Sequence, residues 1–209
     1  MADFIPEENR LNLKVVFYGP ALSGKTTNLM QLHSQLAPER MGELMVLETI
    51  GLRADHGLDL RLKLYTVPGQ VQHDSTRKAV LSRADGILFV ADSQRTQQNN
   101  NAVAFGNLEE NLEKVGLDIE RLPIAIQFNK RDMAGVVAED ELQERWAKTP
   151  WTPLQMASAL NGEGVVESFQ VLLNRLYAVV DEEFGLKSEH GIGRAEFVSR
   201  LSARGTDAS

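Results

Sequence analysis

Short apolar runs rich in β-branched residues alternate along the chain with longer stretches whose apolar positions recur at helical spacing. That alternation predicts a mostly parallel sheet covered on both faces by helices, an α/β fold. The first run, Leu13 to Tyr18, stops at Gly19-Pro20, and a helix-compatible stretch follows from Lys25 to about Leu36, with Pro38 just beyond. Leu58 to Tyr65 alternates with period two, which predicts a strand with one buried face, paired with Gly42 to Thr49 as an antiparallel hairpin. Gly86 to Ala91 and Pro123 to Phe128 are nearly continuous in apolar residues, as expected of central strands buried on both faces. Helical patterns fill 104–115, 139–147 and 165–183, the last with Val166, Phe169, Leu172, Leu173 and Leu176 on one face. Trp146 and Trp151 are expected to close a core edge.

Composition narrows this picture. A chain of 209 residues, 43% hydrophobic, is enough for one substantial core, so a single globular domain over 1–185 is expected. A polar tail over 186–209 is expected to be either disordered or to carry a short helix through Phe197, Val198 and Leu201. The net charge of -7 argues against a nucleic acid partner, whose phosphates the average surface would repel. The absence of cysteine excludes disulfides, thiolate metal sites and a prenyl or palmitoyl anchor. An acidic N-terminus and the lack of a membrane-length apolar run lead to the expectation of a cytoplasmic protein.

Candidate chemistry begins at Gly19-Pro20-Ala21-Leu22-Ser23-Gly24-Lys25-Thr26, which matches G-x-x-x-x-G-K-[ST] between a predicted strand and a predicted helix. Glycines let the backbone wrap phosphate, so that N–H groups and the positive helix end face the oxygens. Lys25 would reach the β and γ phosphates, the Thr26 hydroxyl would ligate Mg²⁺, and Thr27 would touch the α phosphate.

That pattern does not separate ATP from GTP. Asn129-Lys130-Arg131-Asp132 does, standing at the carboxyl end of the run Pro123 to Phe128, where open α/β sheets bind ligands. The Asp132 carboxylate accepts from both N1–H and the 2-amino group of guanine, and adenine has no such donor pair. Lys130 would lay its stem along the base, and Asn129 would tie this loop to the phosphate loop. Ser158-Ala159 would present a backbone N–H to the guanine oxygen.

Four such elements in order across residues 13 to about 180 resemble the Ras-like small GTPases. More narrowly, Tyr18 to Leu29, Leu64 to Val71, Phe89 to Gln94 and Gln127 to Asp132 are similar to the bacterial MglA family, most tellingly in Thr66-Val67-Pro68-Gly69-Gln70, where most Ras-like proteins carry Asp in place of Thr66. The resemblance implies a P-loop G domain with a six-stranded, mostly parallel sheet, one antiparallel edge strand and helices on both faces. It implies GTP/GDP and Mg²⁺ as ligands, Gly69 N–H on the γ phosphate, Gln70 orienting the attacking water and Arg53 as an arginine supplied in the same chain, with Arg77 the second candidate. It also implies a roadblock-domain MglB-like activating partner, unidentified effectors of polarity or gliding motility, and recruitment to a cell pole. Two departures bear on timing. Thr66 supplies less charge to a Mg²⁺-bound water than Asp would, leaving Asp55 or Asp59 to compensate. Ala54 stands where family members usually carry threonine, so either Thr49 replaces that hydroxyl or turnover is altered. Slow intrinsic hydrolysis is expected, the alternative being a nucleotide-binding scaffold with little or none.

Overall fold

The structure is a computed structural model that describes residues 2–36, 46–53, 58–67 and 74–202, with the backbone alone for 46–53 and Asp74. Its centre is β2 (Arg10–Tyr18), whose alternating residues feed two cores. Leu11, Leu13, Val15 and Phe17 point to one face, and Val16 and Tyr18 to the other, as the period of a strand requires.

Around β2 the strands β3 (Val46–Arg53), β4 (Asp59–Thr66), β5 (Gly86–Asp92), β6 (Ile124–Asn129) and β7 (Gln155–Met156) take the order β3-β4-β2-β5-β6-β7. β3 runs antiparallel to β4 and every other pairing along this path is parallel, so the expected sheet and its antiparallel edge are found. A seventh strand, β1 (Asp3–Ile5), was not foreseen. It pairs antiparallel with the start of β2 at Arg10–Asn12, on a stretch that β5, paired with Val15–Tyr18, does not reach. Three residues ending at Pro6 carry too short a pattern to be read as a strand.

Helices α1 (Lys25–Leu36), α5 (Val165–Phe184) and α6 (Arg194–Leu201) cover one face. Helices α2 (Asp74–Leu81), α3 (Gln98–Lys114) and α4 (Glu139–Trp146) cover the other. β5 and β6 are buried along their whole lengths, which explains their unbroken apolar character. In α5, Phe169, Leu172, Leu173 and Leu176 are fully buried, each contributing about 1.5–3 kcal/mol by area removed from water. α6 lies on α5, with Phe197 and Leu201 buried in the same cluster and the Phe197 ring edge-on to Tyr177 at 5.5 Å. Trp146 and Trp151 pack against Phe105 at the edge of the other core. Among the described residues no helix is long and apolar enough to cross a membrane.

The chain leaves β2 toward β4 on one side and returns to β5 and β6 on the other. The carboxyl ends of β2, β5 and β6 therefore border a crevice where strand order reverses.

Candidate nucleotide-binding site

The loop from Gly19 to Gly24 joins β2 to α1 across that crevice. Gly19 has φ +145°, and a Cβ there would stand 2.2 Å from the Val90 carbonyl oxygen. Gly24 has φ +97°, and a Cβ there would meet Asn129 Nδ2 at 2.3 Å. Both positions are closed to side chains by conformation and by space. Leu22 also adopts a left-handed conformation, φ 61°, with its side chain exposed. Thr26 and Thr27 sit in the first turn of α1, Thr26 exposed and Thr27 half-buried.

Lys25 is buried, and its ammonium donates to the carbonyls of Gly19 at 3.0 Å and Pro20 at 2.6 Å. Burial pushes its pKa from 10.5 down to about 8, and the positive charge of Arg77 adds to the shift. A buried cation held by neutral carbonyls beside a second cation is poised for an anion. The Ser23 hydroxyl is also buried, with no hydrogen-bond partner among the described residues. The site's chemistry fits a phosphate group.

Asn129 joins the loop at 19–24 to the loops at 130–132 and 158–159. Its Nδ2 donates to the Ser23 carbonyl at 2.8 Å, and its Oδ1 accepts from the Ala159 N–H at 2.8 Å. Ser158 donates its hydroxyl to Asp132 Oδ1 at 2.6 Å, while its N–H goes to the Glu163 carbonyl. Thus the phosphate loop, Asn129, Asp132 and Ser158-Ala159 form one connected assembly. The N–H groups of Ser158 and Ala159 are engaged inside that assembly.

Sequence comparison adds to this geometry. The profile of the ADP-ribosylation factor family matches residues 5–176. The chain is also 37% identical over 174 residues to the Mutual gliding-motility protein MglA of Myxococcus xanthus (strain DK1622), an alignment spanning 78% of this chain and 89% of that protein. The chain belongs to the ADP-ribosylation factor family, as an MglA-like small GTPase.

In this small GTPase two residues matter that the sequence reading left without a role. Asp92, buried at the end of β5, accepts from the Lys130 ammonium at 2.7 Å. Lys130 itself is left-handed, φ 67°, so the carboxylate helps hold a backbone that an L-residue adopts at some cost. The signal was available: β5 and β6 are adjacent runs, and Asp92 is in register with Asn129, one residue before the lysine. Gln127, also buried, donates to Asn28 Oδ1 at 2.9 Å and Ser168 at 3.0 Å, linking α1, β6 and α5 behind the loop. An amide in an apolar strand gave the only sequence hint of it.

Arg77 is buried on α2 against the Tyr18 ring, 5.9 Å from its centroid, and borders a cavity of about 200 Å³ together with Gly19, Pro20 and Ala21. Asp59 does not sit where it would compensate for Thr66. It lies at the opposite end of β4, bonded to Arg10 at 2.8 Å and Arg61 at 2.9 Å, because seven residues of strand span roughly 23 Å. Asp55, Ala54, Gly69 and Gln70 lie outside the described residues, as do the side chains of Thr49 and Arg53. The Arg53 backbone closes β3 in register with Asp59, at the end of the sheet away from the loop at 19–24, so the structure does not bring Arg53 to that loop.

Proposed function

We propose that this small GTPase is a GTP/GDP switch that binds its nucleotide with Mg²⁺ and hydrolyses GTP slowly without an activator. The observation that supports this reading is the pair of hydrogen bonds from Asn129 to the Ser23 carbonyl and the Ala159 N–H, which ties the loop at 19–24 to the loops at 130–132 and 158–159. In it, the N–H groups of Ala21 to Thr27 and the Lys25 ammonium take the phosphates, while the Asp132 carboxylate selects guanine. The Thr26 hydroxyl holds Mg²⁺, which when bound supplies positive charge to the β and γ phosphate oxygens.

Gln70 orients the hydrolytic water, and Arg77, which borders one cavity with Gly19, Pro20 and Ala21, is the nearer of the two candidate arginines for charge developing between the phosphates. Arg53, in register with Asp59 at the far end of β4, would have to shift along the sheet to take that role. An arginine so placed contributes about 10³- to 10⁵-fold. The name of the Myxococcus relative and the motif resemblance support a role in cell polarity or gliding motility, with recruitment to a cell pole and a roadblock-domain MglB-like activator that prefers the GTP form.

The test is to identify the nucleotide that co-purifies and to measure phosphate release at saturating Mg²⁺, with and without a roadblock-domain protein. Guanine nucleotide with slow release is expected, and ATP in the pocket would overturn the reading. Asp132→Asn replaces one carboxylate acceptor by an amide donor. Its preference should move from GDP toward xanthosine diphosphate, whose base presents a carbonyl where guanine presents its amino group.

A further inference from the structure

A second concavity lies on the opposite side of the base-reading loop, between α3 and α4. It offers about 540 Å³ of space open to solvent on one side, within the range of about 300–1,000 Å³ usual for small-molecule sites. Its walls are aromatic and aliphatic: Phe89, Phe105, Phe128, Leu142 and Trp146. Phe105 and Trp146 meet edge to face at 5.4 Å, and both remain partly exposed. Gly106, in the middle of α3, borders the space, and a Cβ built there meets nothing within 4 Å. Glycine inside a helix is less favourable than alanine, and neither a turn nor a close approach explains it here. What it leaves is room.

Polar groups are confined to Gln98, Asn101 and Arg145, with Arg145 reaching across from α4 to Gln98 Oε1 at 2.6 Å. Asn101 donates to the Asp92 carbonyl and Arg145 also pairs with Glu141, so the Gln98 amide N–H₂ is the donor offered on an otherwise apolar wall. We infer that this cavity is a second ligand site, for a small aromatic molecule carrying one hydrogen-bond acceptor head group such as a carbonyl. A space of about 540 Å³ bounded by two helices and the sheet suits a compact molecule rather than the face of a partner helix.

The cavity shares its wall with the site above. Phe128 lines it, and the next residue, Asn129, turns to the other face and holds the phosphate loop. Ala91 lines it, and the next residue, Asp92, holds Lys130. Asn101 closes the circuit by exchanging two bonds with the Asp92 backbone, at 2.8 and 2.9 Å. Occupancy therefore alters nucleotide release; this second part rests on the nucleotide reading, and the cavity itself does not.

Both tryptophans of the chain stand at this cluster, 6.0 Å apart, so energy transfer from tryptophan to a bound probe reports on it directly. The probe is prodan, a neutral naphthalene ketone, titrated into the full-length protein. Saturable one-to-one binding is expected, weakened at least tenfold by Gly106→Leu, a change that improves helix propensity. No saturable binding, or equal binding by a Gly106→Leu variant that melts no lower than the parent, overturns the site. Release of radiolabelled GDP should change threefold or more at saturating prodan, and an unchanged rate overturns the communication. Should GDP not bind at all, the nucleotide reading fails with it, while the prodan titration still decides the cavity.

Discussion

Asn129 shows how much a single side chain organises. Its amide spends a donor and an acceptor on two different loops, and both bonds are buried. Asn129→Ala removes both at once, and with two orphaned buried groups at about 1–3 kcal/mol each, GDP affinity should fall by about 30-fold or more. Isothermal titration would measure this, and a loss under threefold would show that the loops hold their geometry without it. Lys25 makes a pH prediction. Its pKa is lowered to about 8, so between about pH 8 and 10.5 the unfolded chain binds the proton more tightly than the folded one, and this group's contribution to stability rises with pH. Nucleotide binding runs the other way, because phosphate needs the ammonium. GDP affinity should be flat from pH 7 to 8 and then fall by up to about tenfold per pH unit. An affinity level to pH 9 would contradict the assignment of Lys25 to the phosphates.

Among elements, the strands and long helices were legible in the pattern because burial on one or both faces writes itself into residue choice. β5 and β6 read as unbroken apolar runs, β4 as an alternation, and α5 as a helical stripe. β1 was illegible, since three residues cannot display a period, and so was α2, whose eight residues are mostly polar. Within the site, the loop residues followed from spacing alone, whereas Asp92 required knowing which strands are neighbours and in what register. The C-terminal helix α6 offers a measurement at this scale. Phe197 is fully buried against Tyr177 of α5, and Phe197→Ala should destabilise the protein by about 3–5 kcal/mol in chemical denaturation. A change under 1 kcal/mol would mean that α6 adds little to the fold.

For the molecule as a whole, the two cores of the described residues lie on opposite faces of the sheet, and the site spans the ends of the strands that separate them. A ligand seated there should stabilise the whole fold rather than one half. GDP with Mg²⁺ at about 100 times its dissociation constant would add about 2.7 kcal/mol, raising the melting temperature as a single transition. EDTA should lower it again by the metal's share. Two separate transitions, one unmoved by GDP, would show that the cores unfold independently.

The full burial of β5 and β6 has a consequence in time as well as in space. Amide protons in strands covered on both faces exchange with solvent chiefly when the entire domain opens, whereas loop amides exchange through small local fluctuations. Asp92 and Asn129 are the last residues of those strands, so the site's floor belongs to the slowest-exchanging part of the chain. In deuterated water the amides of Ile87 to Val90 and Ala125 to Gln127 should outlast all others, and a nucleotide can come and go many times before that floor opens once.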